Sequence, residues 1–172
     1  EQFQERAEEL AARISFEAAP GPLHLKVAVE GVSAETLDSE IREITVPDLT
    51  GPQTMLGTPG VFKVRTVRDA QHVKASAEAV PVAGRDFARS DRLIIKVPAY
   101  GPGTSAPVVT ARLLNRSGQV VNDVPVTAGD ASAVALIELV LASLAPGEYV
   151  MEISVTGSGG DAKEFVGFRI TG

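Results

Sequence analysis

The sequence predicts an all-β protein built as a sandwich, with one or two short helices. Three observations predict it. Short runs alternate apolar and polar residues with a period of two, the pattern of half-buried strands. Clusters of Gly, Pro, Asn and Asp interrupt these runs at intervals of about 8–12 residues, the usual spacing of sandwich strands. Finally, 44% of the 172 residues are hydrophobic and 22% are charged, the balance of an average globular chain with a sizeable core.

Taken in order, Phe3, Ala7, Leu10, Ala11 and Ile14 share one helical face, which predicts a helix over Gln2–Ala12. Ile14, Phe16 and Ala18 then alternate as a strand would. Ala19-Pro20-Gly21 has type II turn chemistry, with proline presetting φ and glycine accepting a positive one. Leu23, Leu25, Val27 and Val29 alternate with His24, Lys26 and Glu30, so Leu23–Glu30 is a strand. Ile41–Val46 is another, ended by Pro47. Pro47–Gly60 reads as an irregular crossing.

Val61–Val67 alternates again, with Lys63 and Arg65 outward. Thr66-Val67-Arg68-Asp69 has the form of a capping box, which predicts a short helix over Val67–Ser76. From Arg85 onward every signal is β. Strands are expected over Arg92–Val97, Val108–Leu114, Gln119–Val126 and Val134–Leu141, with a hairpin turn at Asn115–Gly118. Tyr149, Met151, Ile153 and Val155 face a core. Gly157–Asp161 turns, and Val166, Phe168 and Ile170 close the sheet.

Thirteen residues recur without a gap. Ala19-Pro20-Gly21-Pro22-Leu23-His24-Leu25-Lys26-Val27-Ala28-Val29-Glu30-Gly31 matches the frame of Ala145-Pro146-Gly147-Glu148-Tyr149-Val150-Met151-Glu152-Ile153-Ser154-Val155-Thr156-Gly157. Each copy leads through a polar turn to a further strand. The reading is a tandem of modules sharing their last three strands, the first module partial. It divides the chain into a partial module with a helix (1–50), a connector with a strand and short helix (51–84), and a sandwich (85–172).

Composition narrows the chemistry. The net charge is −6, whereas a nucleic-acid binder carries a basic excess. There is no cysteine, so thiol nucleophiles, disulfides and thiolate metal sites are excluded. Two histidines, His24 and His72, are too few for a three-ligand catalytic zinc site unless carboxylates supply the rest. The longest apolar run, Ala133–Ala142 with Glu138 inside it, is about half the roughly 20 residues of a membrane helix. Gly101-Pro102-Gly103-Thr104-Ser105-Ala106 has the form G-x-G-x-x-A. The Pro107 and Val-Val-Thr that follow cannot supply the helix start a phosphate needs, so it reads as a loop.

No G-x-S-x-G elbow occurs. Asn122, Asp123, Asp130 and Asp161 offer hard oxygens near expected loops, short of the six to eight that calcium takes. Lys63, Arg65, Arg68 and Lys74 form a basic cluster that reads as a solvated face. Asn115-Arg116-Ser117 fits a glycosylation sequon and equally a hairpin turn. No catalytic, cofactor-binding or metal-ligating residue is assigned, and no cofactor is expected.

Leu144-Ala145-Pro146-Gly147-Glu148-Tyr149 resembles the L-x-P-G-x-Y corner of bacterial immunoglobulin-like sandwiches. The resemblance implies a tyrosine hydroxyl bonded back to nearby backbone. In the first copy Leu23 takes that place. Val80–Val82, Arg85–Leu93, Tyr100-Gly101-Pro102, the corner, and Phe168–Gly172 together resemble the C-terminal region of bacterial von Willebrand factor type A-related proteins. That resemblance implies a non-catalytic immunoglobulin-like appendage on an exported chain. The metal motif of the adhesion domain is not carried over, because Asp130-Ala131-Ser132-Ala133-Val134 lacks its last serine.

The expected function is a structural or protein-interaction module of a larger extracytoplasmic protein, periplasmic or secreted. The start at Glu1 with an acidic run reads as a piece of something longer. Its partners would be a protein or neighbouring domains of the same chain, with no nucleic acid and no membrane span. Candidate contact loops are Gly101–Ala106 and Ala128–Ser132, and strand addition at a sheet edge is the candidate mode. The alternative is a sandwich that binds calcium or a glycan.

Overall fold

In the computed structural model, residues 16–129 and 133–172 are described. The chain divides into two compact units, Glu1–Asp48 and Leu49–Gly172.

The first unit holds one antiparallel hairpin, β1 (Gly21–Glu30) and β2 (Thr36–Val46). Its register sets Leu23 opposite Ile44, Leu25 opposite Arg42 and Val27 opposite Glu40. Gly21 opens β1 at φ +126°, a value that favours glycine. The connecting turn closes through Gly31 N–H to Glu35 O at 2.8 Å, with Ala34 at φ +60°. The helix expected over Gln2–Ala12 lies outside the described residues. The expected strand of Ile14, Phe16 and Ala18 is corrected in its described part, since Phe16–Ala18 take no regular structure. A strand needs a neighbour to bond, and among the described residues none pairs Phe16–Ala18.

The second unit is a sandwich of two five-stranded sheets, built from β3 (Met55–Leu56), β4 (Gly60–Val64), β5 (Asp86–Ala88), β6 (Arg92–Tyr100), β7 (Val108–Asn115), β8 (Val120–Val124), β9 (Val126–Ala128), β10 (Val134–Val140), β11 (Gly147–Gly157) and β12 (Gly160–Thr171). One sheet runs β3-β6-β10-β9, with β4 beside β3 on the same edge of β6. The other runs β5-β12-β11-β7-β8. All pairings are antiparallel except β5 with β12. The order β4-β6-β10-β9 against β7-β11-β12 is the A-B-E-D against C-F-G order of the immunoglobulin-like fold.

The two inner faces meet in one core. Val61, Leu93, Ile95, Val97 and Ile137 come from the first sheet; Leu113, Met151, Ile153, Phe168 and Ile170 come from the second. The outer face of the first sheet is covered too. Phe62, Val64 and Ile94 pack with Ala70 of helix α1 (Val67–Ala75). Double coverage explains why Leu93–Val97 is apolar at nearly every position, since a strand buried on both faces has no polar side to alternate.

The helix begins as the capping box predicts. Asp69 N–H donates to Thr66 Oγ1 and Thr66 N–H to Asp69 Oδ2, both at 3.1 Å. At its other end Lys96 Nζ donates to Ser76 O at 2.8 Å, supplying a donor near the helix's last carbonyls. The expected connector 51–84 thus contributes β3, β4 and α1 to the second compact unit.

One expected strand is divided. Gln119–Val126 was to be continuous, but Pro125 separates β8 from β9, and the two strands belong to opposite sheets. Proline has no N–H to continue a ladder, so the chain changes sheets there.

The glycine-rich turn after β11 has a packing role. Thr54, only 5% exposed, donates its N–H to Gly159 O at 3.2 Å and accepts from Gly159 N–H on Oγ1 at 3.1 Å. A Cβ on Gly159 would stand 2.3 Å from Pro52 O, and one on Gly157 would stand 2.7 Å from Thr54 Oγ1. At Gly159 glycine is needed because two backbones touch, and at Gly157 because the Thr54 side chain packs against it.

Candidate interaction surface

The exposed side of the second unit is organised by strand parity. Tyr149, Met151, Ile153 and Val155 point inward from β11, so Val150, Glu152 and Ser154 point out. Register then aligns outward residues across four strands. Val120, Leu114, Val150 and Gly167 form one row; Asp123, Arg112, Glu152 and Phe165 form the next. The first row is apolar, with Val120 52% exposed, and Phe165 at the end of the second row is 58% exposed.

The second row carries charge. Arg112 donates from Nε and Nη2 to Glu152 Oε1 at 3.1 and 2.5 Å, and Lys163 Nζ reaches Glu152 Oε2 at 3.5 Å. The Arg112 hydrogen bond, with the positive charges of Arg112 and Lys163, holds the Glu152 carboxyl below its ordinary pKa. These contacts satisfy one another, so the row is a fixed charge pattern and not a free acid or base. No single stretch of sequence reveals it, because its members come from four strands. The outward parity of each strand was the available signal.

The row ends at a sheet edge. Strand β8 pairs β7 on one side, with a bulge between Leu113 and Leu114 in the register. Among the described residues its other side is unpaired, and Val121 is 45% exposed. Beyond Pro125, β9 is the edge of the opposite sheet, and it is only three residues long. Short edges are poor templates for a further strand, so β8 is the more available of the two.

Between the sheets near these edges lies a shallow cleft of about 190 Å³, lined by Ala99, Pro107, Val109, Val126, Ala128 and Val134 among others. Among the described residues its lining has one hydroxyl, Thr127, and no titratable side chain. That lining suits an apolar contact.

The residues singled out in the sequence fall as follows. Tyr149 Oη donates to Ala145 O at 3.0 Å, the expected corner, and its ring stacks on Phe168 at a centroid distance of 6.0 Å. Gly101–Ala106 is a loop that leads into β7, with Gly103 at φ +89° and Pro102 O accepting from Ser158 Oγ at 3.0 Å. The loop Ala128–Ser132 falls partly outside the described residues, Asp130 with it.

The other possible calcium oxygens are spread apart. Asp123 pairs Arg112, whereas Asp161 lies opposite Thr156, which pairs Val108 four residues along β7. That is about 13 Å of strand at roughly 3.3 Å per residue. Among the described residues no three His, Asp or Glu side chains gather as metal ligands.

His24 meets Glu43 at 3.2 Å on the exposed side of the hairpin, and His72 sits on α1. The basic cluster is partly neutralised. Arg65 pairs with buried Asp91 at 2.9 Å and Lys74 with Glu138 at 2.5 Å. Asn115 Oδ1 accepts from Ser117 N–H at 3.0 Å and Gln119 N–H at 2.9 Å, so the sequon residue shapes its hairpin turn. Among the described residues no helix is long and apolar enough to cross a membrane.

A scan against protein-family models finds no match to this chain, and a search of curated proteins finds no relative.

Proposed function

We propose that this chain is a non-catalytic structural and protein-interaction module of a larger bacterial extracytoplasmic protein. In this reading its immunoglobulin-like units are arranged in tandem, as an appendage of the kind found in von Willebrand factor type A-related proteins. The observation that carries the interaction role is the edge of β8, unpaired among the described residues and flanked by an apolar row of exposed Val120 with half-buried Leu114 and Val150. An extended segment of a partner protein adds to β8 by backbone hydrogen bonds, and its alternate side chains rest on the apolar row. The Arg112–Glu152–Lys163 pattern beside the row sets register by favouring complementary charges.

The test is site-specific photocrosslinking in the producing bacterium, with the crosslinker at Asn122 and, as a control, at exposed Val67 on the helical side. The expected result is a discrete protein adduct from Asn122 alone, lost when Val121→Lys places a charge on the edge. Adducts of equal pattern from both positions, or an adduct that survives Val121→Lys, would overturn the edge-pairing role.

A further inference from the structure

One face of the first unit's hairpin carries Leu23, Leu25, Val27 and Val29 of β1 with Ile44, Arg42, Glu40 and Asp38 of β2, and among the described residues of that unit no further strand or sheet meets it. Val27, Val29 and Ile44 are 48%, 54% and 45% exposed. The second unit shows what such a hairpin is built to meet. Its hairpin β11–β12 has the same frame. Gly147 opens β11 at φ +157°, as Gly21 opens β1 at +126°. Gly147 stands opposite Ile170 as Gly21 stands opposite Val46. Tyr149 faces Phe168 as Leu23 faces Ile44, and Ile153 faces Glu164 as Val27 faces Glu40.

The outward sides agree as well. Ile41 and Phe165, at equivalent register positions, are both exposed, at 68% and 58%. In β11–β12, however, the inward positions Ile153, Val155 and Phe168 are 0%, 0% and 4% exposed. The difference is the cover: β7 pairs alongside β11, and the sheet containing β6 and β10 lies across the face.

We infer that the β1–β2 face is one half of a second sandwich, and that its cover is an immunoglobulin-like half-sandwich supplied by the same polypeptide ahead of β1. This inference rests on the tandem reading above. The position follows from strand order. In the second unit the strands that cover β11–β12 lie in Gly60–Val140 and all precede it, so the cover of a matching hairpin precedes β1.

The hairpin departs from the second unit's pattern at Arg42, at Leu23 and at Asp38, which stands where Ala162 does. Arg42 stands where Val166 does, but it is paired with Glu40 at 2.8 Å on β2. Val166 itself is 7% exposed and belongs to the core, so the first hairpin carries an ion pair where the second unit is buried, and a cover must leave that pair at its margin. Leu23 replaces Tyr149, which removes the corner hydrogen bond and leaves the apolar contact.

The experiment is residue-resolved amide hydrogen exchange on the natural polypeptide and on Glu1–Gly172, with Met151 and Ile153 as internal references. In the longer polypeptide the amides of Leu25 and Val27 should exchange at least about 100-fold more slowly than in Glu1–Gly172, as expected for a strand moved from a marginal hairpin to a core. Val27→Asp should abolish that protection without altering Met151 or Ile153. Equal fast exchange in both proteins would overturn the inference, as would slow exchange already present in Glu1–Gly172. In the latter case a dependence on protein concentration would identify a second copy as the cover. A natural polypeptide too short ahead of β1 to form a half-sandwich would also overturn it. These readouts lie in the first unit, so they fail or succeed separately from crosslinking at β8.

Discussion

Replacing Gly159 by alanine should destabilise the second unit more than replacing Gly157, although the two glycines are neighbours in one turn. The Cβ of Gly159 would come within 2.3 Å of Pro52 O and 2.6 Å of Thr54 N, both backbone atoms, and Thr54 N is itself bonded to Gly159 O. Backbone cannot rotate away as a side chain can, so β3 or the hairpin tip must shift, at a cost of about 2–3 kcal/mol by analogy with overpacked cores. The Cβ of Gly157 would meet Thr54 Oγ1 at 2.7 Å and Cγ2 at 3.2 Å, both side-chain atoms. Its cost should be about 1–2 kcal/mol and should depend on Thr54.

A double-mutant cycle isolates that dependence. Thr54→Ala removes the atoms that Gly157→Ala strikes, so Gly157→Ala should cost clearly less in the Thr54→Ala background. Gly159→Ala should cost nearly the same in both, because its obstacle is backbone. Urea denaturation of the parent, the three single variants and the two double variants, read by near-ultraviolet circular dichroism of the tyrosines, measures each free energy. Equal costs for the two glycines, or no relief of Gly157→Ala by Thr54→Ala, would refute the reasoning.

Two further outcomes are expected. Tyr149→Phe keeps the ring on Phe168 and loses one hydrogen bond to Ala145 O, so it should cost about 0.5–1 kcal/mol in urea denaturation, whereas Tyr149→Ala should cost at least about twice that. Glu152 is held below its ordinary pKa by Arg112, so its contribution is present above the ordinary carboxylate range and is lost as pH falls through the lowered folded value. Glu152→Gln should therefore be less stable than the parent at pH 7, and the gap should close as the pH drops below about 4. A gap unchanged at pH 3 in parallel denaturation curves would contradict it.

Much of the fold is legible in particular residues. The alternation of Met151, Ile153 and Val155 names the inner face of β11, and Thr66 with Asp69 names the start of the helix. The corner Tyr149 is readable because its partner lies four residues away. The candidate surface is much less legible. Arg112, Glu152 and Lys163 are far apart in sequence and become neighbours only through the register of three strands. Thr54 carries no pattern of its own, and its role emerges when the hairpin tip closes on it from 105 residues away.

Local chemistry therefore settled the class of structure, its strands and its turns, because side-chain periodicity and the φ preferences of Gly and Pro act within a few residues. Register, sheet membership and coverage were settled only in three dimensions. The division of Gln119–Val126 between two sheets, the burial of β6 on both faces and the bare face of β1–β2 all depend on which strands come to lie alongside. Pairing between distant strands is driven by burial summed over the whole core, and no short segment carries that sum.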